Sequence, residues 1–255
     1  MFKMIAARLK QGHRTMKYPG GPAPETSDRF RGRPSIAATG CPEGCRACAG
    51  ACPTGAVSVT DRVRIDLGKC LFCADCASAC PAQVITFTQD HRLAVRNRQD
   101  LCLEQGQTGV PLAAALEPKL LSLFGRSLKL RQVSAGGCNA CEADVNVLNT
   151  VGWDLGRFGI QFVASPRHAD GLLITGPVTR NMELALEKTY AATPEPKIVI
   201  ALGACAISGG PYLDHSQANN GATALLPVDL FIPGCPPHPL TILDGLLRLT
   251  GRITD

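Results

Sequence analysis

Cysteines are the residues best suited to chemistry in this chain, and two runs of them stand out among its 255 residues. The run from Cys70 to Pro81 has the spacing C-x2-C-x2-C-x3-C-P, and the run from Cys41 to Pro53 differs only by one extra residue after its first cysteine. This spacing is typical of [4Fe–4S] ligation, because three nearby thiolates can surround one corner of a cubane that needs four soft sulfur ligands. The two runs therefore predict two clusters.

The fourth cysteine of each run precedes proline and is expected to ligate the cluster of the other run. We therefore predict two exchanged ligand sets. Site 1 consists of Cys41, Cys45, Cys48 and Cys80. Site 2 consists of Cys70, Cys73, Cys76 and Cys52.

Zinc and disulfides are the alternative explanations for these runs. Zinc sites usually pair two C-x2-C units across a longer spacer and do not account for two repeats that end in Cys-Pro. Disulfides are disfavoured because we recognise no secretory signal in the sequence. For the same reason we expect a cytoplasmic chain, and no apolar stretch approaches the length of a membrane span.

The elements that position sites 1 and 2 are short. Each cysteine run is followed by a β-branched stretch, at 56–60 and 84–88, and a third such stretch lies at 63–67. Residues 35–95 therefore resemble two pseudo-symmetric halves of an α+β unit. Residues 96–129 are interpreted as a linker that is partly helical around 112–123, and its single Cys102 is expected to be an unligated thiol.

The rest of the chain alternates strand-like and helical stretches, which predicts a parallel, doubly wound α/β sheet. The predicted strands are 128–133, 161–164, 171–175, 197–202 and 228–232. The predicted helices are 142–151, 181–191 and 240–249.

Four further cysteines follow three of these strands, at the edge of the sheet where such folds bind ligands. Site 3 consists of Cys138, Cys141, Cys205 and Cys235. Four thiolates delivered to one crevice predict a third [4Fe–4S] cluster, with zinc as the rival. An FMN site is rejected, because cysteines stand where an FMN phosphate would need a Ser/Thr-rich loop.

Positive charge is concentrated at the start of the chain. Residues 1–34 hold eight Lys and Arg against two acidic residues, a net +6, whereas the whole chain carries +5. Residues 2–10 have the spacing of a basic amphipathic helix that could contact an anionic membrane or a partner. Residues 18–34 are rich in Pro and Gly, and we expect a partner to hold them extended. Nucleic-acid binding is not expected, because no basic face with interleaved aromatic residues is evident.

Two family resemblances follow from these motifs. Residues 17–100 resemble the 2[4Fe–4S] ferredoxin-type subunits of complex I and of hydrogenase-4-type, energy-converting [NiFe] hydrogenases. The motifs that carry this resemblance are Lys17-Tyr-Pro, Phe30-Arg-Gly-Arg-Pro34, the two cysteine runs and Asp66-Leu-Gly-Lys-Cys-Leu-Phe-Cys73. Residues 128–253 resemble the small subunit of membrane-bound, formate hydrogenlyase-type [NiFe] hydrogenases, which is also related to the complex I 20 kDa subunit. The segments that carry this second resemblance are residues 137–142, 165–170, 175–180 and 233–237.

The resemblance implies a fusion of two subunits. It implies a basic leader and extended segment (1–34), an α+β ferredoxin-like domain (35–95), a linker (96–129) and an α/β flavodoxin-like, doubly wound parallel-sheet domain (130–255). Complex I small subunits carry adjacent cysteines where this chain has Cys138-x2-Cys141, so the resemblance favours the hydrogenase type.

The implied function is an electron relay with three [4Fe–4S] clusters in an oxidoreductase complex. The expected partners are a [NiFe] large subunit, integral membrane subunits and an electron-donor protein, with the chain peripheral on the inner face of the cell membrane. The chain has no nickel-ligand pairs of its own, and no catalytic residue is assigned. The alternatives are a complex I-like subunit that feeds quinone and a free soluble ferredoxin-type carrier.

Four residues outside the cysteine sites each have two interpretations. Glu142 is interpreted first as a helix N-terminal acid favoured by the macrodipole, and second as a proton-transfer or orienting residue. Arg167 and His168 resemble interface residues but are equally explained as surface loop residues. His238 is either a hydrogen-bond donor to the third site or simply exposed.

Overall fold

The computed structural model describes residues 2–12 and 14–254, and these ranges contain ten strands and eight α-helices. The strands are β1 Pro34–Ile36, β2 Val57–Val59, β3 Val63–Asp66, β4 Ile85–Phe87, β5 Cys102–Glu104, β6 Leu128–Ser134, β7 Ile160–Phe162, β8 Gly171–Thr175, β9 Ile198–Leu202 and β10 Leu230–Ile232. The helices are α1 Phe2–Gln11, α2 Ala47–Gly50, α3 Asp75–Ser78, α4 Pro118–Phe124, α5 Ala140–Val147, α6 Arg180–Ala192, α7 Gly203–Ser208 and α8 Pro239–Leu249.

The second half of the chain forms a five-stranded parallel sheet in the order β10-β9-β8-β6-β7. Counted within this sheet the order is 2-1-3-4-5, which is consistent with a flavodoxin-like fold. Every residue of β8 and β9 is buried. Strands covered on both faces read as continuous apolar runs, which is why the sequence predicted them well. The predicted parallel sheet is confirmed.

Helices cover the sheet on both faces. Alternate residues of β8 point to opposite sides, so Leu173 packs in a core with residues of α5 and α8, while Leu172 and Ile174 pack with Leu186 of α6. Helix α5 begins two residues before the predicted position and ends at Val147. It ends early because the backbone turns to tighter i→i−3 hydrogen bonds over the next three residues.

The cysteine runs lie in a smaller region with two antiparallel sheets. One pairs β1 with β4, and the other has the order β2-β3-β5. The short helices α2 and α3 pack against each other and carry Cys48 and Cys76. Strands β1 and β5 were not predicted, because each is three residues long and pairs with a strand distant in sequence.

The later part of segment 96–129 packs in the same core as α8, through Ala113, Leu116 and Phe124. The Ala113 amide donates to the Ala94 carbonyl, and the Leu116 amide donates to the Leu249 carbonyl. The predicted helix over 112–123 is wrong in its first half, since α4 begins only at Pro118. Proline has no amide hydrogen and its ring clashes with the preceding turn, so a helix can begin at this residue but not run through it.

A shared core joins the cysteine-rich region to the parallel sheet. Ile207 and Phe231 pack among apolar residues of the first region, including Leu67. Val95 and Phe231 exchange two backbone hydrogen bonds of 3.0 and 2.9 Å. The Ser208 hydroxyl donates to the Gly68 carbonyl at 2.8 Å. These contacts link β10 and α7 directly to the segments around the second cysteine run.

The start of the Pro/Gly-rich segment, which we expect a partner to hold extended, also has contacts within the chain. The Tyr18 hydroxyl donates to Asp244 Oδ1 at 2.8 Å, and Arg248 donates to Asp244 Oδ2 at 2.9 Å. Both charged side chains lie on α8, all of whose residues are buried. Arg157 also donates to the Met16 and Tyr18 carbonyls, at 2.6 and 2.7 Å.

Helix α1 confirms the helix predicted over residues 2–10, but it contributes no buried residue. None of the helices in the described ranges is both long and apolar enough to cross a bilayer.

We expect Tyr18→Phe to lower the free energy of unfolding by about 1.5–3 kcal/mol, because it removes a buried hydrogen bond to a charged acceptor. Urea denaturation of the full chain under anaerobic conditions would measure this. Tyr212→Phe is the matched control, since Tyr212 is 46% exposed. Equal losses in both variants would contradict the role of the Tyr18–Asp244 contact.

Candidate iron–sulfur sites

The cysteines of site 2 line one small pocket. Its lining includes all four predicted thiols, from Cys52, Cys70, Cys73 and Cys76. Burial raises the pKa of Cys70 to about 12, and the neighbouring Cys76, Cys52 and Cys73 thiols add to this shift. The structure therefore gathers the four cysteines that the sequence assigned to this site.

The cysteines of site 1 meet at the start of α2. Burial raises the pKa of Cys48, and the thiols of Cys80 and Cys41 raise it further, so all three lie within electrostatic range of one another. Cys45 lines the same cleft as Cys41, and the Cys45 amide donates to the Pro42 carbonyl at 3.2 Å. The extra residue of the first run lies in this loop.

The two Cys-Pro positions have the same local geometry. The Ala56 amide donates to Cys52 Sγ at 3.2 Å, and the Val84 amide donates to Cys80 Sγ at 3.3 Å. In both cases the donor lies four residues after the cysteine. The Phe72 amide donates to Cys70 Sγ at 3.3 Å as a third example. Such N–H groups stabilise negative charge on sulfur.

Site 3 lies at the carboxyl edge of the parallel sheet, where three loops converge. Cys138 and Cys141 follow β6, Cys205 lies on α7 after β9, and Cys235 follows β10. Burial raises the pKa of Cys205 to about 11, with contributions from Cys235 and Cys138. Burial also raises the pKa of Cys141 strongly, and Glu142 and the other three thiols add to this shift. All four predicted cysteines are thus brought together.

Two glycines with positive φ leave room for the thiols of site 3. A Cβ at Gly203 (φ +86°) would lie 2.7 Å from Cys141 Sγ, and a Cβ at Gly210 (φ +55°) would lie 2.8 Å from Cys205 Sγ. Both approaches are shorter than a Cβ can tolerate. Only glycine therefore suits these positions beside the sulfurs.

Sets of four thiols are donors that suit an iron–sulfur cluster. Burial penalises a bare thiolate, and a bound metal cation offsets that penalty and displaces the proton. Within the described residues, no group of three or more His, Cys, Asp or Glu side chains is placed to hold a single metal ion.

Glu142 has the position of the helix N-terminal acid that the sequence favoured, and it also has buried contacts. It lies in the first turn of α5 but is buried, with 6% exposure. Its Oε1 accepts hydrogen bonds of 2.6 Å from both the Ser134 and the Thr175 hydroxyls. Burial alone would raise the pKa of Glu142, but these two hydrogen bonds bring it below the ordinary value. The carboxylate therefore links α5 to the ends of β6 and β8 beside Cys141.

The remaining candidate residues are not among the twelve thiols, although His238 lines the same cleft as Cys235. Cys102 is exposed on β5. Arg167 and His168 are exposed in a short 3-10 turn after β7. His238 caps α8, where its Nδ1 accepts from the Leu240 amide at 3.1 Å, and its ring lies 5.0 Å from that of Phe30. The sequence did not reveal this capping role.

The strand order defines an α/β domain, and three of its loops bring four cysteines to one edge of the sheet. The model of the family described as "NADH ubiquinone oxidoreductase, 20 Kd subunit" matches residues 138–249, a range that includes every cysteine of site 3. The chain belongs to this family.

Several relatives have similar sequences over about half of this chain. The probable membrane-bound hydrogenase subunit mbhJ of Pyrococcus furiosus is 43% identical over 51% of this chain and 77% of its own length. Formate hydrogenlyase subunit 7 of Escherichia coli is 42% identical over 55% of each chain. An NADH-quinone oxidoreductase subunit of Clostridium beijerinckii is 43% identical over 46% of this chain and 70% of its own length.

A solved structure of the membrane-bound sulfane sulfur reductase, an archaeal respiratory membrane complex, also matches. The match has 36% identity and a TM-score of 0.46, and it covers 53% of this chain and 75% of that chain.

We expect Gly203→Ala to reduce the iron content of the purified chain, because the added methyl group would press on Cys141 Sγ. Iron analysis after anaerobic purification would measure the loss, expected to be about four atoms if one cubane is lost. Gly152→Ala is the matched control, since a Cβ at Gly152 meets no atom within 4 Å. An unchanged iron content in Gly203→Ala would contradict the crowded geometry at site 3.

Proposed function

We propose that this chain holds three [4Fe–4S] clusters and relays electrons within a membrane-associated, [NiFe] hydrogenase-type complex. Sites 1, 2 and 3 would bind the clusters, and a large subunit would carry the [NiFe] centre. A donor protein would supply or receive electrons at the other end. Twelve of the thirteen cysteines are used in this assignment, which leaves Cys102 exposed and unligated.

The observation that carries the proposal is that the thiols of site 2 lie close to those of both other sites. Cys48 of site 1 and Cys76 of site 2 lie on the packed helices α2 and α3, and Cys48 contributes to the raised pKa of Cys76. Cys73 of site 2 contributes in the same way to the raised pKa of Cys235 of site 3. Site 2 therefore adjoins both of the others, as an intermediate relay position requires.

Two contacts support the junction between sites 2 and 3. Leu71 and Phe72, from the second cysteine run, line the same cleft as Cys235. The Ser208 hydroxyl on α7, the helix that carries Cys205, donates to the Gly68 carbonyl two residues before Cys70. The loops that would hold these two clusters are thus in direct contact through buried groups.

The chemistry divides between the cluster and the chain. A bound [4Fe–4S] cluster supplies one-electron exchange at a potential set by its charge, hydrogen bonding and exposure. The chain would contribute four thiolates at each site and the N–H donors at Cys52, Cys70 and Cys80. These groups favour a defined potential, because they control charge around the sulfurs.

The hydrogenase assignment rests on the relatives and on the third site. Membrane-bound hydrogenase and formate hydrogenlyase subunits are among the similar proteins, and this chain has Cys138-x2-Cys141 rather than adjacent cysteines. The similarity to NADH-quinone oxidoreductase subunits favours the second candidate, a complex I-like subunit that passes electrons to quinone. We further propose that residues 35–95 form a ferredoxin-like domain fused to the 20 kDa-type domain (130–255), and that the complex lies on the inner face of the cell membrane.

Metal analysis of the complex purified from native membranes through this chain tests the proposal. We expect about twelve iron atoms attributable to this chain and nickel in a co-purifying large subunit. Bound quinone without nickel would instead support the complex I-like function. A monomer that carries iron but retains no partner subunits would contradict both.

The position of site 2 between the other two sites predicts how cysteine variants change the reduction of site 3. We expect Cys70→Ser to block electron transfer between sites 1 and 3, because it removes the intermediate cluster. Cys48→Ser should leave site 3 reducible through site 2, and Cys102→Ser should behave as the wild type. Stopped-flow reduction of each purified variant, followed by low-temperature electron paramagnetic resonance, would measure this. Equal reduction rates of site 3 in Cys70→Ser and the wild type would contradict the order.

A further inference from the structure

Helix α1 exposes an unusual amount of apolar surface. Phe2 is 87% exposed, Met4 75%, Ile5 50% and Leu9 79%, and none of the ten residues of the helix is buried. Isolated apolar side chains are normal on protein surfaces, but three large ones on one face of a short helix, Phe2, Ile5 and Leu9, indicate a surface that a lipid layer or another protein covers.

The exposed residues are arranged in faces. At 100° per residue, Phe2, Ile5 and Leu9 fall on one side of the helix, with the i, i+3, i+7 spacing of an apolar stripe. Lys3 and Lys10 border this stripe on one side. Arg8 borders it on the other side. The flexible stems of these basic side chains can lie beside an apolar layer while their charges reach the polar boundary above it.

The charge of α1 indicates what covers its apolar stripe. The helix contains three basic residues and no acidic residue. A protein groove would require an apolar stripe but not basic residues along both of its borders. An anionic lipid surface requires both, because apolar side chains enter the acyl boundary while Lys and Arg contact the headgroups.

Residues 15–16, which lie shortly after the helix, are attached to the body of the protein. The Gly12 amide donates to the Arg8 carbonyl at 3.0 Å, and Gly12 has φ +63°. The Met16 amide then donates to the Gly152 carbonyl at 2.9 Å, and the Thr15 hydroxyl donates to the Val151 carbonyl at 3.0 Å. Residues 151–152 follow α5, the helix that carries Cys141. The chain that follows α1 is therefore attached next to the helix that carries Cys141.

We propose that α1 binds the surface of an anionic bilayer, with Phe2, Ile5 and Leu9 inserted at the headgroup–acyl boundary and Lys3, Arg8 and Lys10 on anionic headgroups. This assigns a lipid-binding role to the chain itself, and it stands whether or not the three-cluster relay is correct.

Co-sedimentation of the full chain with vesicles tests this proposal. Vesicles of phosphatidylcholine alone are compared with vesicles in which part of the lipid is phosphatidylglycerol. We expect binding to the anionic vesicles, weakened by salt, and a loss of about five-fold in affinity for each basic side chain removed in Arg8→Gln and Lys10→Gln. Leu9→Ser should also weaken binding, through its apolar contribution.

Matched controls lie on α6, where Lys188 is exposed and Leu184 is 59% exposed. Lys188→Gln and Leu184→Ser should bind vesicles as the wild type does. All variants should retain the iron content of the wild type, so that a failure of lipid binding is distinguishable from a failure of the cluster sites. Equal affinity for neutral and anionic vesicles, or wild-type binding by the α1 variants, would overturn the proposal. So would an α1 variant that loses a co-purifying subunit while the wild type ignores vesicles.

Discussion

The cost of withdrawing thiols from water is the constraint on which this structure depends. Burial raises the pKa of Cys70 to about 12 and that of Cys76 and Cys205 to about 11, so these side chains remain protonated at neutral pH unless a cation compensates for their charge. Bound iron would supply that compensation at all three sites. The groups around the sulfurs meet the same requirement. Amide N–H groups donate to the sulfurs at the Cys-Pro turns, and glycines occupy positions where a side chain would touch a sulfur.

A relay also requires that its sites keep fixed separations, and here the shared core provides this. The helix that carries Cys205 packs into the core of the cysteine-rich region through Ile207. Helix α8 is buried along its whole length, and its Asp244–Arg248 pair holds Tyr18 of the N-terminal segment. Segments from both ends of the chain therefore meet at α8. A tether alone would raise the effective concentration of one module near the other, whereas a packed interface also limits their relative motion.

Much of the parallel sheet could be predicted from sequence, because strands buried on both faces are continuous apolar runs. Strand β8 occupies the predicted residues 171–175. The gathering of the cysteines could likewise be predicted, since motif spacing and the rule for strand ends both bring them together. The assignment of clusters to these thiols, and the ferredoxin-like fold of the first domain, remain predictions.

Contacts between residues distant in sequence could not be predicted. Strand β5 was missed because its pairing with β3 depends on tertiary position rather than on its three-residue pattern. The Tyr18–Asp244 hydrogen bond joins residues 226 positions apart. Glu142 has the position of a helix-dipole acid, and only the tertiary structure brings Ser134 and Thr175 to its carboxylate. The prediction of a helix over 112–123 was wrong in its first half for a local reason, because Pro118 marks a helix start.

Mössbauer spectroscopy of the full chain, labelled with iron-57 and purified without oxygen, tests the central claim most directly. The account predicts that essentially all iron gives cubane signals, about twelve atoms per chain, and that serine at Cys48, Cys70 or Cys141 each removes about four of them. Spectra of mononuclear iron in four-sulfur coordination, or zinc in place of iron at any of the three sites, would contradict it.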